Sequence, residues 1–353
     1  MAYLAGKIVL AVEAGAPNNG RGDGTLAQVK KTRIRGRDYP YVSAQAFRRW
    51  LRDTIVDAGS VPSPTSRVGK AQGKAQKATT EADPIRYVDD DLFGYMKATA
   101  KSEDRSTTLR DTPFMVGTFL AAEPVKITED YGTMSRGIPE PVLHQHEFYT
   151  ADLTAPFLFD IPRVGTFTLP SSGGGGRPNY LTEEAAMAVA EAVQAGATTA
   201  ALRGSGAIRL PLTARRERVA LLLESLAELT GGAKKSLHYG DRTPALIVMV
   251  PMAGGINPLQ FVVNGADDGS GLRADGDALR RELAAWDGEW EAPVLVGWRP
   301  GFRETLRAKF TADLADLIAA GSVVVDHPRT ILRDLAARIR SGQHDGWFDD
   351  PAR

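Results

Sequence analysis

Two amphipathic helices, each set between β-rich apolar runs, restrict this chain more than any other feature of its sequence. The first run, "LAGKIVLAVE" (Leu4 to Glu13), is closed by "GAPNNGRGDG", which is turn chemistry throughout. A helix is predicted from Ser43, its N-cap, to Ala58, with Gly59 ending it. Phe47, Leu51, Thr54, Ile55 and Ala58 repeat at helical spacing and should face a core. "TPFMVGTFLAAEPV" (Thr112 to Val125) reads as the next strand. "KITEDYGTMSRGIPEP" reads as a long loop and "VLHQHEFYTADL" as the returning strand, an antiparallel hairpin with an oversized tip. "APFLFDIPRVGTFTL" adds more strand, and "PSSGGGGRPN" is a flexible turn. The second helix takes Thr213 as N-cap and carries Val219, Leu222, Leu223, Leu226 and Leu229 as one stripe, closed by Gly231 and Gly232. "PALIVMVPM" and "PLQFVV" supply further strands. Helices near Phe302 to Ala320, with Leu306, Phe310, Leu314 and Leu317 on one face, and near Pro328 to Ser341 complete the chain.

Stripped of insertions, the order is strand, helix, strand, strand, helix, strand. That is an α+β class and the split βαβ, ferredoxin-like order of RNA-recognition folds. The aromatic signature of an RNA-recognition motif is missing from the strands, so any RNA should be held by loops and the first helix. Residues 60–110 interrupt the order: the segment opens on "SVPSPTSRVGKAQGKAQKATTEAD", has no periodicity, and carries Arg67, Lys70, Lys74 and Lys77 before its first acid, Glu81. It reads as a mobile insertion in one domain of 353 residues. The absence of cysteine excludes disulfides, thiolate catalysis and cysteine zinc sites. No apolar run approaches the ~20 residues of a bilayer span, and the N-terminus does not read as a signal peptide, so a cytoplasmic protein without a membrane partner is expected.

The chain holds 43 Lys+Arg and 43 Asp+Glu, so any nucleic-acid surface must be a segregated patch. One such patch is visible. From Arg21 to Arg52 there are nine basic residues, opposed only by Asp23 and Asp38. Gln45, Arg48, Arg49 and Arg52 fall at i, i+3, i+4 and i+7 and share one helix face, with Lys30 to Arg37 just ahead of it. "GGAKKSLHYGD" (Gly231 to Asp241) repeats the design with Lys234, Lys235 and His238 on a glycine loop, and Asn18, Asn19 and Gly20 add backbone and amide donors. Small residues admit phosphates to the backbone, and Lys and Arg supply affinity without base preference.

Catalytic candidates are weaker. His144 and His146 point to one face of a strand but lack a third ligand, and His238, His327 and His344 have no ligand-like spacing, so structural or solvent-facing histidines are expected. Asp89, Asp90 and Asp91 read as an exposed acidic turn rather than a cation site. "SSGGGG" lacks the context of a phosphate loop, and neither a nucleophile elbow nor a kinase signature is present. No cofactor or metal is implied.

"NNG", "VKKTRIRGRDYPYVSAQAFRRWLRDT", "TPFMVGTFLAAEPVKITEDYGTMSR", "FDIPRVGTF" and "LLESLAELTGGAKKSLHYGDRTPALIVM" together closely resemble the DevR family. These are backbone subunits of type I CRISPR Cascade complexes in the RAMP superfamily, and the likeness is greatest to the I-B branch. It runs from about Tyr3 to Val263. The resemblance implies a non-catalytic, hand-like subunit: an RRM-like palm, a finger insertion (60–110), a thumb (124–142) and a C-terminal helical extension (265–353). Copies would stack head to tail along a guide RNA, kink it periodically and present it to target DNA, beside other Cascade subunits. On this mapping Asn18, Asn19, Lys30, Lys31, Arg33, Ser43, Gln45, Arg48, Arg49, Arg52, Lys234, Lys235 and His238 hold the RNA. Met134 is the thumb wedge, and Arg67, Lys70, Lys74 and Lys77 could touch DNA. The alternative from the same superfamily is a metal-dependent endoribonuclease using an Asp, for which no counterpart is evident. A DNA-binding regulator is disfavoured by the lack of a helix-turn-helix signature.

Overall fold

The computed structural model describes residues 2–20, 22, 26–68, 77–98, 107–134, 137, 140, 142–168, 184–194 and 196–349. Its centre is the first strand, Tyr3–Gly15, which pairs antiparallel with Leu246–Met252 on one side and with Val142–Asp160 on the other. Val142–Asp160 in turn pairs antiparallel with Phe119–Ala121. The four central strands therefore lie in the order fourth, first, third, second of the predicted series. At one edge Val294–Trp298 joins Leu246–Met252, and Val323–Asp326 adds to it in parallel, making the sheet mixed. At the other edge Arg37–Val42 and Lys31–Ile34 continue from Phe119–Ala121.

Alternate residues of the central strands enter two different cores. Ile8, Ile247 and Met249 join Phe47, Leu51 and Ile55 of the first helix and Val219, Leu222, Leu223, Leu226 and Leu229 from the second helix and its C-terminal end. Val9, Leu246, Val248 and Val250 point the other way, into Trp298, Phe310, Leu314 and Val323. Because both faces are covered, Leu246–Met252 reads as an unbroken apolar run and the first strand as one interrupted between Tyr3 and Val12 by Lys7, rather than as alternating patterns. Each large apolar side chain buried in this way contributes roughly 1.5–3 kcal/mol. The sheet face opposite the two helices is covered by C-terminal elements.

Local chemistry explains the element boundaries. The first helix spans Ala44–Asp57, and the Ser43 hydroxyl accepts the Ala46 N–H at 3.3 Å as its cap. At its other end Gly59 has φ +100°, and Ser60 N–H returns to the Ile55 carbonyl. Trp50 joins the predicted buried positions, whereas Ala58 is exposed. The second helix spans Leu212–Ala227 and starts at Pro211, so Thr213 is inside its first turn rather than the cap. The run Thr112 to Val125 is not one strand: Phe114–Val116 and Phe119–Ala121 are separated at Gly117, which donates to the carbonyl of Pro156. Pro156 has no N–H for the ladder, so the strand facing it breaks there.

Three further expectations are revised. The long loop after Lys126 is largely a strand, Thr128–Met134, paired with Val142–Phe148 in the register Met134 to Val142. "PLQFVV" begins as a 3-10 turn, Pro258–Phe261, and only Val263–Gly265 is strand. The insertion is anchored in the core at its base, where the short helix Val88–Phe93 buries Leu92 and Phe93. It carries two hairpins, Thr65–Val68 with Lys77–Thr80 and Tyr95–Ala98 with Thr107–Arg110. The C-terminal region holds helices at Gly276–Ala285, Glu304–Asp313, Ala315–Ala319 and Pro328–Arg340 together with the two edge strands. Among the described residues no helix is long and apolar enough to cross a membrane.

Candidate nucleic-acid interface

The basic segment ahead of the first helix is a hairpin, Lys31–Ile34 with Arg37–Val42. Arg35 and Gly36 form its turn with φ +50° and +79°, the pair of positive values that suits a two-residue hairpin. The hairpin holds Lys31, Arg33, Arg35 and Arg37 in solvent. The Arg33–Asp38 pair at 3.3 Å is exposed, so it contributes little. Lys31 is fixed more firmly, 2.9 Å from Glu147, a buried carboxylate that also accepts the Val29 N–H. Asn18 clamps the base: its Nδ2 donates to the Tyr41 carbonyl, and its own carbonyl accepts the Lys30 N–H.

On the first helix Gln45 and Arg49 are exposed, with Arg49 paired to Asp53 at 2.8 Å. Arg48 is half-buried. Desolvation, and then the neighbouring Arg52 charge, hold its guanidinium below the usual arginine range, and it has no ion-pair partner among the described residues. Arg52 leans the other way: its Nε sits 3.0 Å from buried Asp89 and its guanidinium 5.2 Å from the Phe93 ring centroid. The shared cationic face thus divides between solvent and the base of the insertion. Ser43 uses its hydroxyl for the helix cap.

The glycine loop is bolted to that helix. Gly231 has φ +129°, and a Cβ there would sit 2.7 Å from the Trp50 side chain, so only glycine allows the contact. Thr230 N–H donates to the Thr54 hydroxyl, and Ala233 N–H donates to the Pro17 carbonyl. Lys234 follows in the left-handed region at φ +53° and is partly buried, which lowers its ammonium pKa, while Lys235 is exposed. The His238 ring lies 4.9 Å from His146 and 5.2 Å from Phe148. Residues distant in sequence, Pro17 to Asn19 with Val29 and Lys30, His146 to Tyr149, and Gly231 to Arg242, therefore meet at one junction beside the first helix.

The histidines are revised with it. His146 is buried, stacks parallel to His144 and touches His238, so three of them form a cluster that sequence spacing did not show. Burial, then Lys234 and His238, push His146 below the ordinary imidazole range, which keeps it neutral at pH 7. The acidic triplet is buried, not an exposed turn. Asp91 receives Arg110, Arg218 and the Gly165 N–H, Asp89 receives Arg52 and the Ser63 N–H, and Asp90 accepts the Asp83 N–H. Among the described residues no group of three or more His, Asp or Glu side chains is placed to hold a metal ion.

Among the described residues, several buried polar atoms without a hydrogen-bond partner lie at the junction. They are Asn19 Oδ1, His146 Nδ1, the Tyr149 hydroxyl, His238 Nε2 and two nitrogens of Arg242. Native interiors hold few such groups, and each calls for an explanation. Arg242 and Tyr149 were not singled out by sequence; the only available signal was that Arg242 directly follows "GGAKKSLHYGD".

At the hairpin tip Met134 is 59% exposed, and Tyr131, Val142 and Leu143 are exposed around it. Arg67 is exposed on the first hairpin of the insertion and Lys77 opens the strand opposite. Lys70 and Lys74 lie outside the described residues, as do Arg21, Asp23 and the run "SSGGGG".

No family model and no curated protein matches the sequence. The fold is similar to chains of two solved structures. One is described as a CRISPR RNA-guided surveillance complex: 12% identity and TM-score 0.52 over 95% of this chain and 98% of that one. The other is described as a CRISPR RNA-guided surveillance complex, pre-nicking: 11% identity and TM-score 0.55 over 96% of this chain and 100% of the other. The chain is similar in fold to chains of such complexes over nearly all of its length.

Proposed function

We propose that this chain is a non-catalytic backbone subunit of a Cascade complex, of the DevR type and the I-B branch. Several copies would grip the sugar-phosphate backbone of one guide RNA in the cytoplasm and present it to target DNA. The single observation that carries the reading is the junction itself: cations and unpartnered buried polar groups from three chain segments converge beside one basic helix. The fold of known surveillance-complex components supports it. So does the strand order, which corresponds to a ferredoxin-like, RRM-like palm. The insertion based on Val88–Phe93 serves as the finger and the Thr128–Phe148 hairpin as the thumb, with Met134 as its wedge. A grip made by loops and a helix follows from the closed sheet face. Heterologous contacts between copies that do not close into a ring would extend the assembly as a filament.

The test is co-expression with a guide RNA, scored by RNA recovered per protein and by mass spectrometry of the native complex. Arg48→Glu, Arg49→Glu and Lys234→Glu combined should lose most of the RNA at ordinary salt, because phosphate contacts set affinity. Arg52 is left intact because its ion pair with Asp89 supports the fold. Normal RNA recovery with the folded triple variant overturns the reading. Intact guide RNA after incubation with Mg²⁺ is the expected result for a subunit that does not cut.

A further inference from the structure

Arg242 is 4% exposed and sits where the first strand leaves the regular ladder between Val12 and Gly15. Its Nη1 reaches only the Asp241 carbonyl, at 3.4 Å. Its Nε and Nη2 have no hydrogen-bond partner among the described residues. These two nitrogens are one edge of the guanidinium, the fork that takes two oxygens of one phosphate or carboxylate side by side. The nearest carboxylate does not use it: Asp241 accepts the Thr243 N–H and hydroxyl and pairs with Arg299 at 2.7 Å.

Glycines border that edge, which is closed to solvent in the free chain, so an oxyanion enters only as the glycine loop moves aside. A Cβ at Gly232 would lie 3.2 Å from Nε, and one at Gly15 would lie 3.7 Å from Nη2. Gly240 sits against Nη1, where a Cβ would come within 2.7 Å. Tyr149, paired with Gly15 across the strands, adds a buried hydroxyl that also lacks a partner. A fixed cation, an unpaired hydroxyl donor and glycines on each side make a receptor for a small oxyanion. An isolated buried guanidinium is strongly unfavourable, so the folded chain gains when an anion enters.

We infer that Arg242 receives one phosphodiester group of the guide strand edge-on through Nε and Nη2, with Tyr149 as a further donor. The inference rests on the proposed RNA grip and makes it more specific. Exposed Lys235 and Arg49 can follow a mobile backbone, whereas a buried fork admits a single phosphate in a single orientation. Arg242 therefore pins the register of the RNA once in each subunit.

The test uses the full chain with ¹⁵N-labelled arginine, the Arg242 Nε–H resonance being assigned by its loss in Arg242→Lys. Single-stranded RNA of mixed sequence and, separately, inorganic phosphate are titrated in. Both should move the resonance, and Gly232→Ala, which puts a methyl beside Nε, should weaken both effects. Arg242→Lys keeps the charge and loses the fork, so RNA affinity should fall about tenfold with the salt slope unchanged; Arg242→Gln should lower the slope by about one as well. Thermal melts confirm that each variant is folded. RNA binding with the resonance unmoved overturns this inference and leaves the RNA grip standing. A shift with phosphate and no binding of RNA at all overturns the assignment to the guide strand and the proposed function together. No shift with either ligand means that the fork stays closed, and the site falls.

Discussion

Lys7 lies on the central strand with 4% of its surface exposed, and its ammonium donates to Asn264 Oδ1 at 2.7 Å. Burial lowers its pKa to about 8. The unfolded value is the higher one, so the unfolded chain binds more protons between pH 8 and 10.5, and stability rises with pH across that window. The full effect is on the order of 3 kcal/mol, at about 1.4 kcal/mol per unit. Urea unfolding at pH 7.5 and 9.5 should show the rise in the native chain and much less of it in Lys7→Met. An equal rise in both would mean that Lys7 is not its source. Asp91 is the opposite case, a carboxylate enclosed by Arg110 and Arg218. Asp91→Ala should cost about 3–5 kcal/mol in the same assay because Arg110 and Arg218 both lose the buried carboxylate they share. Residue-scale chemistry was only half legible. "DDD" announces charge, but its partners come from positions as distant as Arg52 and Arg218, and no local pattern reveals that pairing.

Elements whose signals are local were legible, and those defined by a partner were not. Ser43 and Gly59 bracket the first helix because a cap hydroxyl and a positive φ act within a few residues. The strand Thr128–Met134 escaped because "TEDYGTM" has weak strand propensity; it is a strand because Val142–Phe148 pairs with it. The junction was partly legible: Lys30, Lys234 and His238 were named, but Tyr149 and Arg242 acquire meaning only when the strand break near Gly15 meets the loop. The loop–helix contact gives a prediction at this scale. Gly231→Ala must accept φ +129° and place a methyl 2.7 Å from Trp50, so it should destabilise by about 1–3 kcal/mol. Ser43→Ala removes only a cap and should cost about 1 kcal/mol. Thermal melts of the two variants should rank Gly231→Ala as the more damaging, and the reverse order would mean that the loop yields freely.

At the scale of the whole molecule, the proposed function together with the closed sheet and zero net charge requires nucleic acid to be held at an edge and bent by something that reaches over it. The hairpin of Thr128–Met134 with Val142–Phe148 is the proposed thumb: it extends from the outer end of Val142–Asp160, and Tyr131 and Met134 on it are exposed. An unbranched thioether in solvent can enter beside a base once that base leaves the stack. Phosphate grip and base splaying are then separable, because the cations and the wedge lie on different elements. Guide RNA carrying 2-aminopurine at successive positions reports unstacking as a gain of fluorescence. Assembled native protein should give bright positions at regular intervals. Met134→Ser should dim them while changing RNA affinity by less than about threefold, since backbone contacts dominate binding. If fluorescence stays periodic in Met134→Ser, the wedge is another residue of the tip; if affinity collapses instead, grip and kink are one device and the division of labour proposed here is wrong.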